Sequence, residues 1–218
     1  MEFSTEEAGY MTQPEESVPR DEALKALINT ETRGCIIDAY ACVGSDAIAF
    51  MHTFRNAHID AVQIGDTADT QERFKRLCKN LQTYSRSIEG NPAHCTPHKC
   101  AIRDYIEQRM QPGTDIEMLY LDPPWSAPDG PQYSPEGLVE LLNADALDPL
   151  HRLRRYPTVI CFKVPADMDE EILKTALSGS NLIRETYTMC QCIPVTRELR
   201  TGERTAYHFH IYIKTPSA

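Results

Sequence analysis

Ile116-Glu117-Met118-Leu119-Tyr120-Leu121-Asp122-Pro123-Pro124-Trp125 decides the fold. The first six residues are an apolar run of strand length, and the two prolines that follow can neither donate to a ladder nor continue it. The stretch reads as a strand running straight into a stiff loop. Working outward, the same strand-then-helix rhythm repeats on both sides. On the C-terminal side Ser134-Pro135 opens a helix carrying Leu138, Leu141 and Leu142, with proline at its favoured first position. Thr158 to Val164 is the next strand, and Asp169 to Leu177 a helix closed by Gly179. Leu182 to Ile193 and Ala206 to Ile213 then read as two strands joined by a polar turn, a hairpin without a helix.

On the N-terminal side, Ile102, Tyr105, Ile106 and Met110 mark a helix, while residues 88–100, with Pro92 and Pro97, allow only a short strand. Asp69-Thr70-Gln71-Glu72 has capping-box form, and Phe74, Leu77, Cys78, Leu81 and Tyr84 keep helical spacing behind it. Ile59 to Ile64 and Cys35 to Tyr40 are strands, separated by a helix with Ile48, Met51 and Phe54 that Ser45 is expected to cap. Asp21 to Thr30 is a short helix with Leu24, Leu27 and Ile28 on one face. Strands alternating with helices, ending in a hairpin, predict an α/β, Rossmann-like sheet, mainly parallel with an antiparallel C-terminal hairpin. Residues 1–20 read as an acidic arm and residues 21–218 as one domain.

The composition agrees. The chain has 218 residues, 41% hydrophobic and 25% charged, which are globular values. The formal charge is −10, and residues 1–31 hold eight acids against only Arg20 and Lys25. That balance argues against wrapping a long duplex, because such binding rests on phosphate neutralisation. No apolar run reaches membrane-span length and no signal peptide precedes the first helix, so no membrane partner is expected. The expected location is intracellular, nuclear or cytoplasmic, and not secreted, with the eight cysteines reduced.

Two loops at strand ends carry the chemistry. In Asp122-Pro123-Pro124-Trp125 a carboxylate, a rigid carbonyl and a flat aromatic stand together. The carboxylate and carbonyl can accept the hydrogens of an amino group on a planar base, and the indole can stack on the ring. The other loop, Asp38-Ala39-Tyr40-Ala41-Cys42-Val43-Gly44-Ser45-Asp46, places an acid at a strand end and a glycine at the turn into a helix, the usual form of a nucleoside-binding loop.

In this order the two loops resemble the trimethylguanosine synthases, class I S-adenosylmethionine-dependent methyltransferases that methylate N2 of the 7-methylguanosine RNA cap. The family's loops run close to DAFCGVGG and SPPWGGPDY, and Phe162-Lys163-Val164-Pro165 is similar to its strand-to-helix segment after the substrate loop. The resemblance implies S-adenosylmethionine as cofactor, lined by Asp38, Ala39, Tyr40 and Gly44, with Gln63 and Asp66 at the ribose. It implies that Asp122 and the Pro123 carbonyl hold the guanine amine as the catalytic pair. Pro124 and Trp125 would bind the base, with Lys163 reaching the cap triphosphate. The partner implied is capped RNA or a cap nucleotide. An acid at the first position of the second loop also resembles adenine-N6 methylating enzymes.

The chain departs from the family at one ligand above all. Cys42 and Ser45 stand where the family has glycine, Gln63 where it has the ribose acid, and His98-Lys99-Cys100-Ala101 where an acid lies near the adenine. A second class of function therefore stands beside the enzyme: a degenerate methyltransferase fold that binds caps or serves a protein partner. No metal site is expected. His94-Cys95-Thr96-Pro97-His98-Lys99-Cys100 is rich in zinc-capable side chains, but a closed site draws on two separated pairs, for which Cys190 and Cys192 would have to serve. His208 and His210 alternate with Tyr207, Phe209 and Ile211 and are expected to share a half-buried strand face.

Overall fold

The computed structural model describes residues 2, 12, 14–87, 94–111, 113–124, 134–166, 170–198 and 204–216. Its strands are β1 (Cys35–Asp38), β2 (His58–Gln63), β3 (His94–Lys99), β4 (Ile116–Leu121), β5 (Val159–Pro165), β6 (Tyr187–Glu198) and β7 (Arg204–Lys214). They form one sheet in the order β3-β2-β1-β4-β5-β7-β6. The first five pair in parallel, and β7 runs antiparallel between β5 and β6. The helices are α1 (Pro14–Leu27), α2 (Ser45–Thr53), α3 (Ala68–Ser87), α4 (Ile102–Asp104), α5 (Pro135–Leu142), α6 (Asp148–Arg152), α7 (Glu170–Gly179) and α8 (Asn181–Thr186). α4 and α5 each continue into a π-helical turn, Tyr105–Arg109 and Asn143–Leu147.

Side chains alternate across the central strands, so each strand feeds two cores. Ile37, Leu119, Leu121, Ile160 and Phe162 pack with Tyr105, Leu138, Leu142, Leu173 and Leu177 on one face. Ile36, Met118, Tyr120 and Cys161 pack with Leu24, Phe50, Phe54 and Leu77 on the other. Helices on both faces explain why the central strands read as continuous apolar runs. The edge strand β3 is half-exposed and carries Pro97, tolerable where one side of the ladder is unpaired. All eight cysteines are free, and among the described residues no helix is long and apolar enough to cross a membrane.

The structure departs from the sequence reading at four elements. α1 starts at Pro14 and not at Asp21, running through Pro19 with Glu15 and Glu16 in its first turn. Residues 181–186, read as the start of a strand, form α8, which buries Leu182 and Ile183 before Tyr187 turns the chain into β6. A short apolar pair fits either period, and here burial against α7 selected the helix. The N-cap of α2 is Gly44 (φ 95°), not Ser45, because the turn there needs a left-handed residue. At α3 the capping exchange lies two residues earlier than expected: Thr70 N–H donates to Thr67 Oγ1 at 3.2 Å, and Thr67 N–H to Thr70 Oγ1 at 3.0 Å.

Candidate functional site

The strand order reverses direction at β1, flanked by β2 on one side and β4 on the other, and in sheets of this kind the ligand crevice lies at the carboxyl ends of those strands. Both chemical loops leave the sheet there. The loop after β1 is pinned on either side: Ala39 N–H donates to the Tyr120 carbonyl of β4 (3.0 Å) and Ala41 N–H to the Val62 carbonyl of β2 (2.9 Å). Cys42 N–H donates to Gln63 Oε1 at 2.8 Å, and Cys42 itself adopts φ 49°. A glycine would hold that turn without strain, since L-residues with a side chain are disfavoured at left-handed φ. At Gly44 an added Cβ would lie 2.8 Å from Leu77 Cδ1, so α3 closes against the turn.

Asp38 ends β1 and is 1% exposed. Neither carboxylate oxygen has a hydrogen-bond partner. Burial first, then Asp46 and Asp122 facing it, push its pKa well above the ordinary carboxylate range, against the smaller opposing effects of Arg20 and the Ala47 N–H of α2. A buried carboxyl left in that condition is expensive unless a donor or cation meets it.

Asp122 follows β4, partly exposed, and accepts from Lys163 Nζ of β5 at 2.7 Å. Lys163 is 1% exposed and its ammonium also sits 4.8 Å from the centre of the Tyr207 ring. For Lys163 to reach a triphosphate, that ion pair would have to open. Pro123 is buried and Pro124 exposed, fixing the direction in which the loop leaves the sheet. Trp125 lies outside the described residues. Tyr40 OH donates to Asp145 Oδ2 (3.1 Å). Gln63 is occupied with the loop, its Nε2 donating to the Ile64 carbonyl at 3.0 Å. Asp66 is exposed and accepts from Thr70 Oγ1 (3.2 Å).

A buried polar group joins α1 to the start of α2 and to β7. Arg20 of α1 is fully buried, donates to Asp46 and to Asp21 Oδ1 (2.8 Å), and lies 4.5 Å from the Phe50 ring centre. Burial alone would lower its pKa, but Asp46 and Asp21 more than offset that and raise it. Thr12 Oγ1 donates to the other Asp46 oxygen at 3.0 Å, and Tyr207 OH to Glu16 Oε2 at 2.9 Å. The signal for Asp46 was present, an acid in a helix's first turn, but its cation lay in what read as an arm.

A second polar group lies near the amino ends of the strands. Asp60 Oδ1 meets His98 Nε2 at 2.6 Å and His58 Nε2 at 3.2 Å, while Oδ2 accepts from Tyr105 OH (2.7 Å) and Cys35 Sγ (3.0 Å). Burial opposes ionisation, but these bonds prevail and hold its pKa down to about 2. The group lines a cleft of about 390 Å³ with Arg33 and Arg109.

No protein-family model matches the chain, and no curated protein matches it in sequence. Solved structures do share its fold. A protein of Pyrococcus horikoshii named as a candidate RNA methyltransferase is similar with a TM-score of 0.60 at 11% identity, over 94% of this chain and 88% of that one. The precorrin-6Y C5,15-methyltransferase of Geobacter metallireducens gives 0.59 at 13%, over 94% and 91%. An N-terminally shortened METTL16 methyltransferase domain gives 0.56 at 13%, over 92% and 82%. The chain thus shares the Rossmann-like α/β fold of these methyltransferases.

Proposed function

We propose that the protein is an S-adenosylmethionine-dependent RNA methyltransferase whose target is the guanine N2 amine of a 7-methylguanosine cap. The observation that carries this reading is Asp38: a buried carboxyl with two unmatched oxygens, at the strand-order reversal of a methyltransferase fold, one strand from Asp122-Pro123-Pro124. That acceptor fits the ammonium end of the cofactor's methionine, with Ala39, Tyr40 and Gly44 shaping the loop around it. Gln63 and Asp66 stand on the ribose side. When bound, S-adenosylmethionine supplies an electrophilic methyl group.

The protein's own part is orientation. Asp122, ion-paired to Lys163, and the Pro123 carbonyl accept the two amine hydrogens and so point the nitrogen lone pair at its target. Asp122 also faces the positive charge that grows on that nitrogen. Pro124 and Trp125 offer the stacking surface, which a positively charged 7-methylguanine favours over a neutral base. Calorimetric titration with S-adenosylmethionine tests the cofactor, with micromolar binding expected, about −8 kcal/mol. Trp125 is the only tryptophan, so 7-methylguanosine triphosphate should quench the protein's fluorescence. Trp125→Ala should weaken that binding by about 1–3 kcal/mol. Binding unchanged by that substitution would remove the stacking role.

A second reading has its own observation. Gln63 Oε1 is engaged by the Cys42 N–H, and Cys42 puts a side chain on a left-handed backbone in the loop after β1. A cap-binding protein on a retired enzyme fold would show no heat with S-adenosylmethionine yet retain the fluorescence quench, and a partner-binding one would show neither.

A further inference from the structure

We infer that Cys192, His208 and His210 form a binding site for one zinc-class metal ion, independent of the methyl-transfer reading. The site is built by strand geometry. His208 and His210 are two apart on β7 and project to the same face, their ring centroids 6.1 Å apart and their planes inclined by 24°. Cys192 of β6 stands directly opposite His210 in the antiparallel register, which puts its thiol on that face too. One ligand atom from each residue lies within 4.8 Å of the other two. Bonds of about 2.0–2.3 Å to a tetrahedral ion place ligand atoms roughly 3.5 Å apart, so modest side-chain rotation closes the gap.

The donor set is selective. One thiolate with two imidazoles suits zinc and its soft neighbours, and does not suit magnesium or calcium, which take oxygen. His210 is fully buried, and His208 and Cys192 are half-buried. The same face carries Phe162 and Val164 of β5, which pair with His210 and His208 and belong to the apolar core below α7. A face filled only for packing has no reason to gather three transition-metal donors among such neighbours. Three protein ligands leave a fourth position for water or another ligand.

The sheet also excludes the arrangement that the sequence made conceivable. The 94–100 segment forms β3, at one edge, and Cys192 lies on β6, at the opposite edge, so those cysteines cannot share an ion. The site instead ties β6 to β7 across the hairpin, two strands from β4.

Cobalt is the probe, added to the full-length, metal-free, reduced protein. The expected result is one equivalent bound, with the visible bands of tetrahedral cobalt and a thiolate-to-cobalt charge-transfer band, both displaced by one equivalent of zinc. Cys192→Ser should abolish the charge-transfer band, and His208→Gln should weaken cobalt binding at least about tenfold. Cys95→Ser should change neither. Zinc should raise the thermal midpoint of the parent but not of Cys192→Ser. Circular dichroism verifies that each variant is folded. A folded parent without cobalt bands overturns the inference. So does a charge-transfer band that survives Cys192→Ser, and so does binding lost in His98→Gln but kept in His208→Gln, which would place the ion at Asp60.

Discussion

Asp38 and Asp60 are both buried carboxyls on neighbouring central strands, and their surroundings treat them oppositely. Asp60 sits near the amino ends with four donors around it and is held ionised to about pH 2. Asp38 sits at the carboxyl end of β1 with neither oxygen in a formed hydrogen bond and two acids facing it, and its pKa is driven up. The first is a finished network, which fixes β1, β2, β3 and the turn at Tyr105. The second is unfinished, and in the proposed function its partner is the ammonium of the cofactor. Satisfaction, more than burial, separates the two acids.

The comparison breaks if Asp60 proves dispensable. Asp60→Asn should destabilise the protein by about 2–4 kcal/mol, since it replaces a buried anion matched by four donors. Chemical denaturation measures this, and methyl transfer by the folded fraction should persist. The pH dependence follows from the lowered pKa. Asp60's contribution, about 2 kcal/mol, is fully present above its ordinary value near 4 and is lost as the pH falls towards 2. Asp60→Asn should therefore flatten the acid limb of the stability curve.

Asp38 should behave in the opposite sense. With its pKa raised, its penalty is absent at low pH and grows as the pH rises from the ordinary carboxylate value towards the raised one. Asp38→Asn should thus raise the thermal midpoint of the ligand-free protein at neutral pH, by about 2–4 °C per kcal/mol relieved. The same change should weaken S-adenosylmethionine binding about 10- to 100-fold, the size of a charged hydrogen bond. Lower stability together with unchanged binding would make Asp38 a structural residue like Asp60.

Cys42→Gly relieves the left-handed backbone at φ 49° and should stabilise by roughly 0.5–1 kcal/mol after glycine's entropy is counted. Thermal denaturation with and without S-adenosylmethionine would show whether the thiol matters to the ligand as well as to the turn.

Much of the fold was legible because local signals agreed. β4 spans the six residues read from its apolar run, and α5 starts where Ser134 accepts from Gly137 N–H at 3.1 Å. Asp38 and Asp122 were legible as acids at strand ends, and Lys163 as a residue near the second loop. The start of α1 was not, because Arg20 reads as a surface cation until Asp46, 26 residues away, buries it. Nor was α8, whose Leu182 and Ile183 fit either period.

The sequence by itself determined the alternation of strands and helices, the two loops and the identity of their acids, since these depend on short-range pattern and on residue chemistry. Only the tertiary structure decided which acids were satisfied. Hydrogen bonds between residues far apart in the chain, such as Tyr105 to Asp60 and Lys163 to Asp122, exist only once the sheet order is set. The same order carried β3 away from Cys192 and set Cys192 beside His208 and His210, because strand register places side chains that sequence distance keeps apart.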